Sequence, residues 1–64
     1  MNQPTATRAF DPRYLELAHA MSDHGGSFAS CIGSAYLHAD MSNRVRLIEA
    51  FDDLFQSYSS WLTS

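Results

Sequence analysis

Three histidines are the first residues in this sequence whose type could support chemistry. His19 and Asp23 are four positions apart, so both could lie on one face of a helix and bind a metal ion. Further ligands would have to come from distant positions: His24, Cys31, His38 and Asp40. A zinc site uses three or four ligands at defined spacing, and the sequence has no His-x-x-x-His or Cys-x-x-Cys unit. The pattern therefore favours surface histidines over a metal site, and we expect no metal or other cofactor.

Nucleophilic and acid–base chemistry would depend on one thiol and one pair of carboxylates. Cys31 shares an apolar stripe with Phe28 and Ile32, a setting in which cysteine packs as a small hydrophobe in the core. Asp52 and Asp53 are adjacent on a predicted helix, so their side chains diverge by about 100° and do not face each other. No nucleophile, base and orienting group can be named together. We therefore expect no catalytic residues and a protein that is not an enzyme.

A glycine pair followed by serine, Gly25-Gly26-Ser27, could bind an anion if it precedes a helix, because free backbone N–H groups point outward there. A phosphate-binding loop contains more glycines and a lysine, whereas this sequence has no lysine. We interpret the segment as a turn between helices, in which a glycine adopts the left-handed conformation and Ser27 caps the next helix. Anion binding is the alternative.

Seven acidic residues outnumber four basic ones, all of them arginine, and the formal net charge is −3. Only Arg44 and Arg46 are close together, with Asp40 and Glu49 on either side. Nucleic-acid-binding proteins carry a stripe of positive charge, so this balance argues against a nucleic-acid partner. A helix-turn-helix regulator stays open as an alternative, because the last helix would present several polar side chains outward: Asn43, Arg44, Arg46, Glu49 and Gln56.

The elements that must position these residues are predicted to be helices. A chain of 64 residues forms one domain, and Asp11-Pro12 provides an N-cap and a favoured first helical residue. The glycine pair and the segment Asp40-Met41-Ser42-Asn43 separate the helices, with Ser42 or Asn43 as the last N-cap. The predicted fold is an all-α three-helix unit. Its segments are a flexible tail at 1–9 and a single helical domain at 10–64, with helices at about 12–23, 28–39 and 43–58 or beyond.

The second predicted helix has two packing faces. One is an apolar stripe: Phe28, Cys31, Ile32, Ala35 and Ala39. The other is a strip of small residues that ends in a leucine: Ser30, Gly33, Ser34 and Leu37. A glycine in mid-helix costs about 1 kcal/mol relative to alanine, so we expect another backbone to approach closely at Gly33. This helix is predicted to be buried on both sides.

The third predicted helix has a heptad-like seam that is long for so small a unit: Leu47, Phe51, Leu54, Tyr58 and Trp61. Small domains are often completed by a partner subunit, because their own core is marginal. We therefore predict a homodimer, or a higher oligomer, that buries this seam.

Six residues are predicted to bind a protein partner. The aromatic and aliphatic members have the least need of the monomer core, and the arginines could make directional contacts beside them. These residues are Tyr36, Leu37, Arg44, Arg46, Tyr58 and Trp61.

Location is predicted from what the sequence lacks. No run approaches the roughly 18 apolar residues of a membrane span, and the start of the chain has no basic and apolar signal. A single cysteine fits a reducing compartment. We expect the protein in the cytoplasm of a host cell, without a membrane partner.

Several short stretches together resemble a family of small helical proteins of bacteriophages and plasmids. They are Gly25-Gly26-Ser27-Phe28-Ala29, Ile32-Gly33-Ser34-Ala35-Tyr36, Ala39-Asp40, Asn43-Arg44-Val45-Arg46-Leu47 and Ala50-Phe51-Asp52-Asp53-Leu54-Phe55-Gln56-Ser57-Tyr58, and they span about half of the chain. The resemblance supplies no catalytic residue. It implies a mobile-element context, in which short proteins often bind a host protein and several block bacterial defence systems.

These observations favour a small non-enzymatic protein-interaction module, encoded by a phage or mobile element, that binds and inhibits or otherwise modulates a host protein. A small helical DNA-binding regulator and a protein that sequesters a small ligand are the alternatives. DNA retention that weakens with salt would indicate the regulator. A metabolite bound in native mass spectrometry would indicate the sequestering protein.

Overall fold

The computed structural model describes residues 8–62, and this part of the chain contains three α-helices and one short 3₁₀ helix. We label the helices α1 (Pro12–His24), α2 (Ser27–His38) and α3 (Met41–Gln56), followed by the 3₁₀ helix Ser59–Trp61. The predicted all-α three-helix unit is confirmed. None of the helices in the described part is long and apolar enough to cross a lipid bilayer.

The predicted flexible tail at 1–9 falls mostly outside the described residues, which begin at Arg8. The last two residues of that segment are packed against the bundle. Arg8 pairs with Asp52 at 2.7 Å, and Ala9 is buried in the core cluster. The helical domain therefore includes residues that composition alone assigned to the tail.

The predicted start of α1 is confirmed, because Asp11 Oδ1 accepts the Arg13 N–H at 2.9 Å and Pro12 is the first helical residue. The predicted left-handed glycine is wrong: Gly25 and Gly26 are both extended, with φ of −77° and −70°. Gly26 is the N-cap of α2, and Ser27 is its first helical residue. Gly25 is required by space, since a Cβ there would lie 2.5 Å from the Met21 carbonyl oxygen.

Helix α3 differs from its prediction at both ends and in the middle. It begins at Met41, two residues early, because the Asp40 carboxylate accepts the Asn43 N–H at 2.9 Å. Phe51 has non-helical angles, φ −132° and ψ 24°, so the helix is kinked there. It ends at Gln56, where the Ser57 hydroxyl donates to the Leu54 carbonyl at 2.6 Å and competes with the helical backbone.

The core lies where the three helices meet. Its largest fully buried side chains are Leu17, Met21, Tyr36, Ile48 and Phe55. The Tyr36 and Phe55 rings meet edge to face at 5.2 Å, and the Tyr14 ring lies 5.7 Å from Phe55. Of the long apolar seam predicted for α3, the interior takes mainly the neighbouring Ile48 and Phe55, while the seam residues are half-buried or, at Trp61, exposed.

The predicted close approach at Gly33 is confirmed, and the helix that approaches is α1. A Cβ on Gly33 would lie 2.5 Å from the Ala18 carbonyl oxygen and 2.9 Å from the Ser22 nitrogen. Serines line the same contact: the Ser22 and Ser34 hydroxyls are 3.3 Å apart, and the Ser30 hydroxyl donates to the Ser22 carbonyl at 3.2 Å. The small side chains let the two helix backbones come together.

The opposite side of α2 faces outward, which corrects two predictions. Cys31 and Ala35 are exposed and Phe28 is 60 % exposed, so these three are not core residues, whereas Ile32 of the same stripe is half-buried and packs against the core. The reason is the Gly33 contact: α2 turns its small-residue side and Tyr36 inward, while on the other side α3 contacts Phe28 through Phe51 and leaves Cys31 and Ala35 exposed.

Candidate functional site

The six predicted partner-binding residues separate into three groups. Tyr36 is fully buried, so the expectation that it is free of the monomer core is wrong. Leu37 is half-buried and packs against the core cluster. The Arg44 guanidinium lies 5.0 Å from the centre of the Tyr36 ring and donates to the Tyr36 carbonyl at 3.1 Å and the Leu37 carbonyl at 3.4 Å. Arg44 therefore neutralises the carbonyl end of α2, where a cation is favourable, and has a structural role.

Arg46 borders an open groove between the end of α2 and the start of α3. The groove has a volume of about 360 Å³ and is lined by Ala35, His38, Ala39, Asn43, Arg46 and Leu47. Its two alanines and Leu47 form an apolar floor, and its polar members carry hydrogen-bond donors. Such a groove can hold an apolar side chain together with an acceptor or a carboxylate.

Tyr58 and Trp61 lie at the opposite end of α2, beside the turn that joins α1 to α2. The Trp61 ring is 56 % exposed and stacks on the His24 ring, with centroids 3.9 Å apart and planes 6° from parallel. Tyr58 is half-buried against the core. We call His24, Tyr58 and Trp61 the aromatic edge. Because α2 spans about 18 Å, the aromatic edge and the groove are separate surfaces.

One polar cluster has no counterpart among the predicted site residues: Arg8, Tyr14, Asp52 and Gln56. Asp52 accepts hydrogen bonds from Arg8 at 2.7 Å and from the Tyr14 hydroxyl at 2.6 Å, and Gln56 donates to the Tyr14 oxygen at 3.0 Å. The cluster ties the residues before α1 to the second half of α3. Arg8 and Asp52 are 44 positions apart, and no local spacing in the sequence connects them.

The electrostatics of this cluster indicate a structural role. Partial burial raises the pKa of Asp52, but hydrogen bonds from Tyr14 and Gln56 and the positive charge of Arg8 outweigh it, so the pKa lies below its ordinary value. Burial and the Asp52 hydrogen bond raise the pKa of Tyr14. A carboxylate with a lowered pKa is a poor proton donor or acceptor near neutral pH.

Asp52→Asn is expected to lower the free energy of unfolding at pH 7 by about 1 kcal/mol, a value that allows for solvent screening of a part-exposed pair. Because the folded-state pKa is lowered, the stabilising effect is present above the unfolded value near 4 and is lost as pH falls through the folded value. Urea unfolding at pH 7 and pH 3 should show the gap between wild type and variant closing in acid.

Asp53→Asn is the matched control for this prediction, since Asp53 is exposed and its carboxylate accepts only the Leu54 N–H among the described residues. Its stability should follow wild type at both pH values. If the free energies of unfolding of wild type and Asp52→Asn differed by the same amount at pH 7 and pH 3, the lowered pKa of Asp52 would be contradicted.

Neither a metal site nor a known relative assigns a role to these surfaces. Within residues 8–62, no group of three or more His, Cys, Asp or Glu side chains is placed to hold a metal ion. Comparisons with protein-family models, with curated proteins and with solved structures find no match for this chain.

Proposed function

We propose that the chain is a small non-enzymatic protein-interaction module, encoded by a phage or another mobile element, that binds and modulates a host protein in the host cytoplasm. The single observation that carries this proposal is Trp61, a large aromatic side chain that is 56 % exposed and stacks on the His24 ring. We assign the partner contact to the aromatic edge.

The stack is what makes Trp61 suited to binding. An exposed side chain usually loses rotamer freedom when a partner covers it, and this loss opposes association. A ring already stacked at 3.9 Å loses less, because one of its faces is fixed before the partner arrives. Trp and Tyr are also the types enriched at binding hot spots, where an apolar body and one polar group suit a partly wet interface.

The intramolecular contacts of the arginines argue against the DNA-binding alternative. Arg8 is paired with Asp52 and Arg44 with carbonyls of α2, which leaves Arg13 and Arg46 as the exposed arginines of residues 8–62. Two separate arginines on a chain of net charge −3 give little attraction for a phosphate backbone.

A small ligand in the groove is the second candidate function. Its volume of about 360 Å³ is at the lower end of the range for ligand pockets. Native mass spectrometry of the protein purified from its host tests this reading. An added mass of a few hundred daltons that disappears in Leu47→Arg would favour ligand sequestration over the aromatic edge.

Trp61→Ala is expected to remove the host partner from a capture experiment while leaving the fold intact, because Trp61 is outside the core. Tagged wild type and variant are compared by quantitative mass spectrometry of captured proteins. Binding of the purified partner should then weaken about 30-fold or more, the size expected for a hot spot of about 2 kcal/mol.

Phe10→Ala is the matched control, because the Phe10 ring is 71 % exposed and lies before α1, away from the aromatic edge. Circular dichroism of each variant checks that helicity is unchanged. A partner that binds Trp61→Ala and wild type equally would show that the aromatic edge does not make the partner contact. Retention of duplex DNA by wild type at 150 mM salt would favour the regulator instead.

A further inference from the structure

The outward side of α2 exposes Phe28, Cys31 and Ala35 between the polar Ser27 and His38, and the helix contains no Asp, Glu, Lys or Arg. We call Phe28, Cys31 and Ala35, which recur along its exposed side, the outward stripe. Phe28 is 60 % exposed and meets Phe51 of α3 edge to face at 5.7 Å. Surface helices typically carry charged or polar residues on their solvent side, so exposed apolar residues along a helix without Asp, Glu, Lys or Arg indicate a surface that a partner covers.

A projection and a recess lie at opposite ends of this one stripe. Phe28 projects at the start of α2, and the groove lies at the end of α2, with Ala35 and Ala39 in its floor. Ala35 and Ala39 follow Phe28 by 7 and 11 residues, so they share its side of the helix about 10–16 Å along the axis. When a second copy lies antiparallel on this face, its Phe28 is therefore opposite the groove of the first copy.

The charged residues beside the outward stripe also have opposite signs at its two ends. On α3, Arg46 and Ala50 are exposed one helical turn apart, and Asp53 is exposed just after the kink at Phe51. Arg46 borders the groove, and Asp53 lies beyond Phe51, toward the Phe28 end. Neither Arg46 nor Asp53 forms an ion pair within residues 8–62.

We propose that a second copy of this chain docks antiparallel on this face, with the two-fold axis between Cys31 and Ala35. In a two-fold interface each contact occurs twice with the roles exchanged. Each Phe28 enters the groove of the other copy, and each Arg46 meets Asp53 of the other copy. The apolar contacts provide the affinity, and the exposed ion pairs fix the register, because surface ion pairs add little binding energy by themselves.

This interface is not the one that the α3 seam predicted from sequence. The docked surface is centred on α2, because the fold uses Ile48 and Phe55 of α3 internally. It is also separate from the aromatic edge, so the proposal does not depend on the proposed function.

Sedimentation equilibrium from 1 to 200 µM tests the proposal, with four variants. Wild type is expected to be dimeric at the upper concentrations. Phe28→Ala should raise the dimer dissociation constant about tenfold or more. Arg46→Asp and Asp53→Arg should each raise it several-fold by placing like charges opposite each other, and the double variant should return to within about threefold of wild type.

Two measurements keep these outcomes separate. Circular dichroism shows whether each variant is folded, and Trp61→Ala should dimerise as wild type does. A monomeric wild type at 200 µM overturns the proposal, as does a dimer in which the charge reversals weaken association without rescue in the double variant. A monomer that captures a host protein, and loses it on Phe28→Ala, would assign the face to that protein and equally overturn the second copy.

Discussion

Tyr36→Ala is expected to lower the free energy of unfolding by about 3–5 kcal/mol, a large part of the stability of a domain of this size. The Tyr36 side chain is fully buried, packs edge to face on Phe55 at 5.2 Å and lies beneath the Arg44 guanidinium at 5.0 Å. Removing a buried aromatic ring costs about 3–5 kcal/mol, and a domain of this size has only about 3–10 kcal/mol of stability in total. Urea unfolding followed by circular dichroism should show a lost or strongly shifted transition.

Tyr36→Phe is the matched variant, and it is expected to change stability in the opposite direction. The Tyr36 hydroxyl is buried and has no hydrogen-bond partner among the described residues. Because an unsatisfied buried polar group costs about 1–3 kcal/mol, removing the oxygen should raise the free energy of unfolding by about 1 kcal/mol. A folded Tyr36→Ala protein that has lost only its partner would contradict the core assignment and restore Tyr36 as a binding residue.

Gly33→Ala is expected to lower the free energy of unfolding by about 1–3 kcal/mol, although alanine favours a helix by about 1 kcal/mol over glycine. The added methyl group would lie 2.5 Å from the Ala18 carbonyl oxygen and 2.9 Å from the Ser22 nitrogen. Both are backbone atoms of α1, so the two helices would have to move apart. Thermal and urea unfolding measure the loss, and Gly33→Leu should prevent folding.

Gly26→Ala serves as the control for the space argument. No atom lies within 4 Å of a Cβ built at Gly26, and its φ of −70° suits any residue. Because Gly26 is the N-cap of α2 and alanine is a poorer N-cap than glycine, we expect a loss of no more than about 1 kcal/mol, none of it from steric overlap. If both glycine variants raised the melting temperature, the close approach of α1 and α2 would be wrong.

Much of the helical framework could be predicted because its signals are local. Asp11-Pro12 is an N-cap followed by a favoured first residue, and its effect extends over only a few positions. The small residues around Gly33 also predict the close approach of another helix. A glycine in mid-helix is unfavourable, and close packing against it offsets that cost. The N-cap of α3 is Asp40, two or three residues before the predicted Ser42 or Asn43, and local sequence does not decide between them because all three are competent N-caps.

The orientation of α2 could not be predicted, because neither side carries Asp, Glu, Lys or Arg and both offer residues that can pack: large apolar ones on one side and small ones on the other. Phe28 and Ile32 are larger than Ala29 and Gly33, and size favours burying the larger pair. The fold instead buries the side that lets α1 approach, together with Tyr36. Tyr36 was thereby misassigned to the surface, and Phe28 and Cys31 to the core.

The kink and the polar cluster depend on contacts between distant residues. Phe51 has neither proline nor glycine beside it, yet its ring meets Phe28 and the next residue is drawn to Tyr14 and Arg8. Spacing within one helix cannot reveal such a pairing. Trp61 was correctly placed outside the core, but its stack on His24 joins the end of α1 to the 3₁₀ helix and has no signal in either segment.

The central claim is that α2 has one side in the core and leaves its outward stripe free for a partner. The reactivity of Cys31, the only thiol in the chain, tests this directly. In native protein at 1 µM or below, one thiol per chain should react with an aromatic disulfide reagent at a rate within about tenfold of that of the urea-unfolded chain. A thiol that reacts only as the protein unfolds would place the outward stripe in the core and contradict the account.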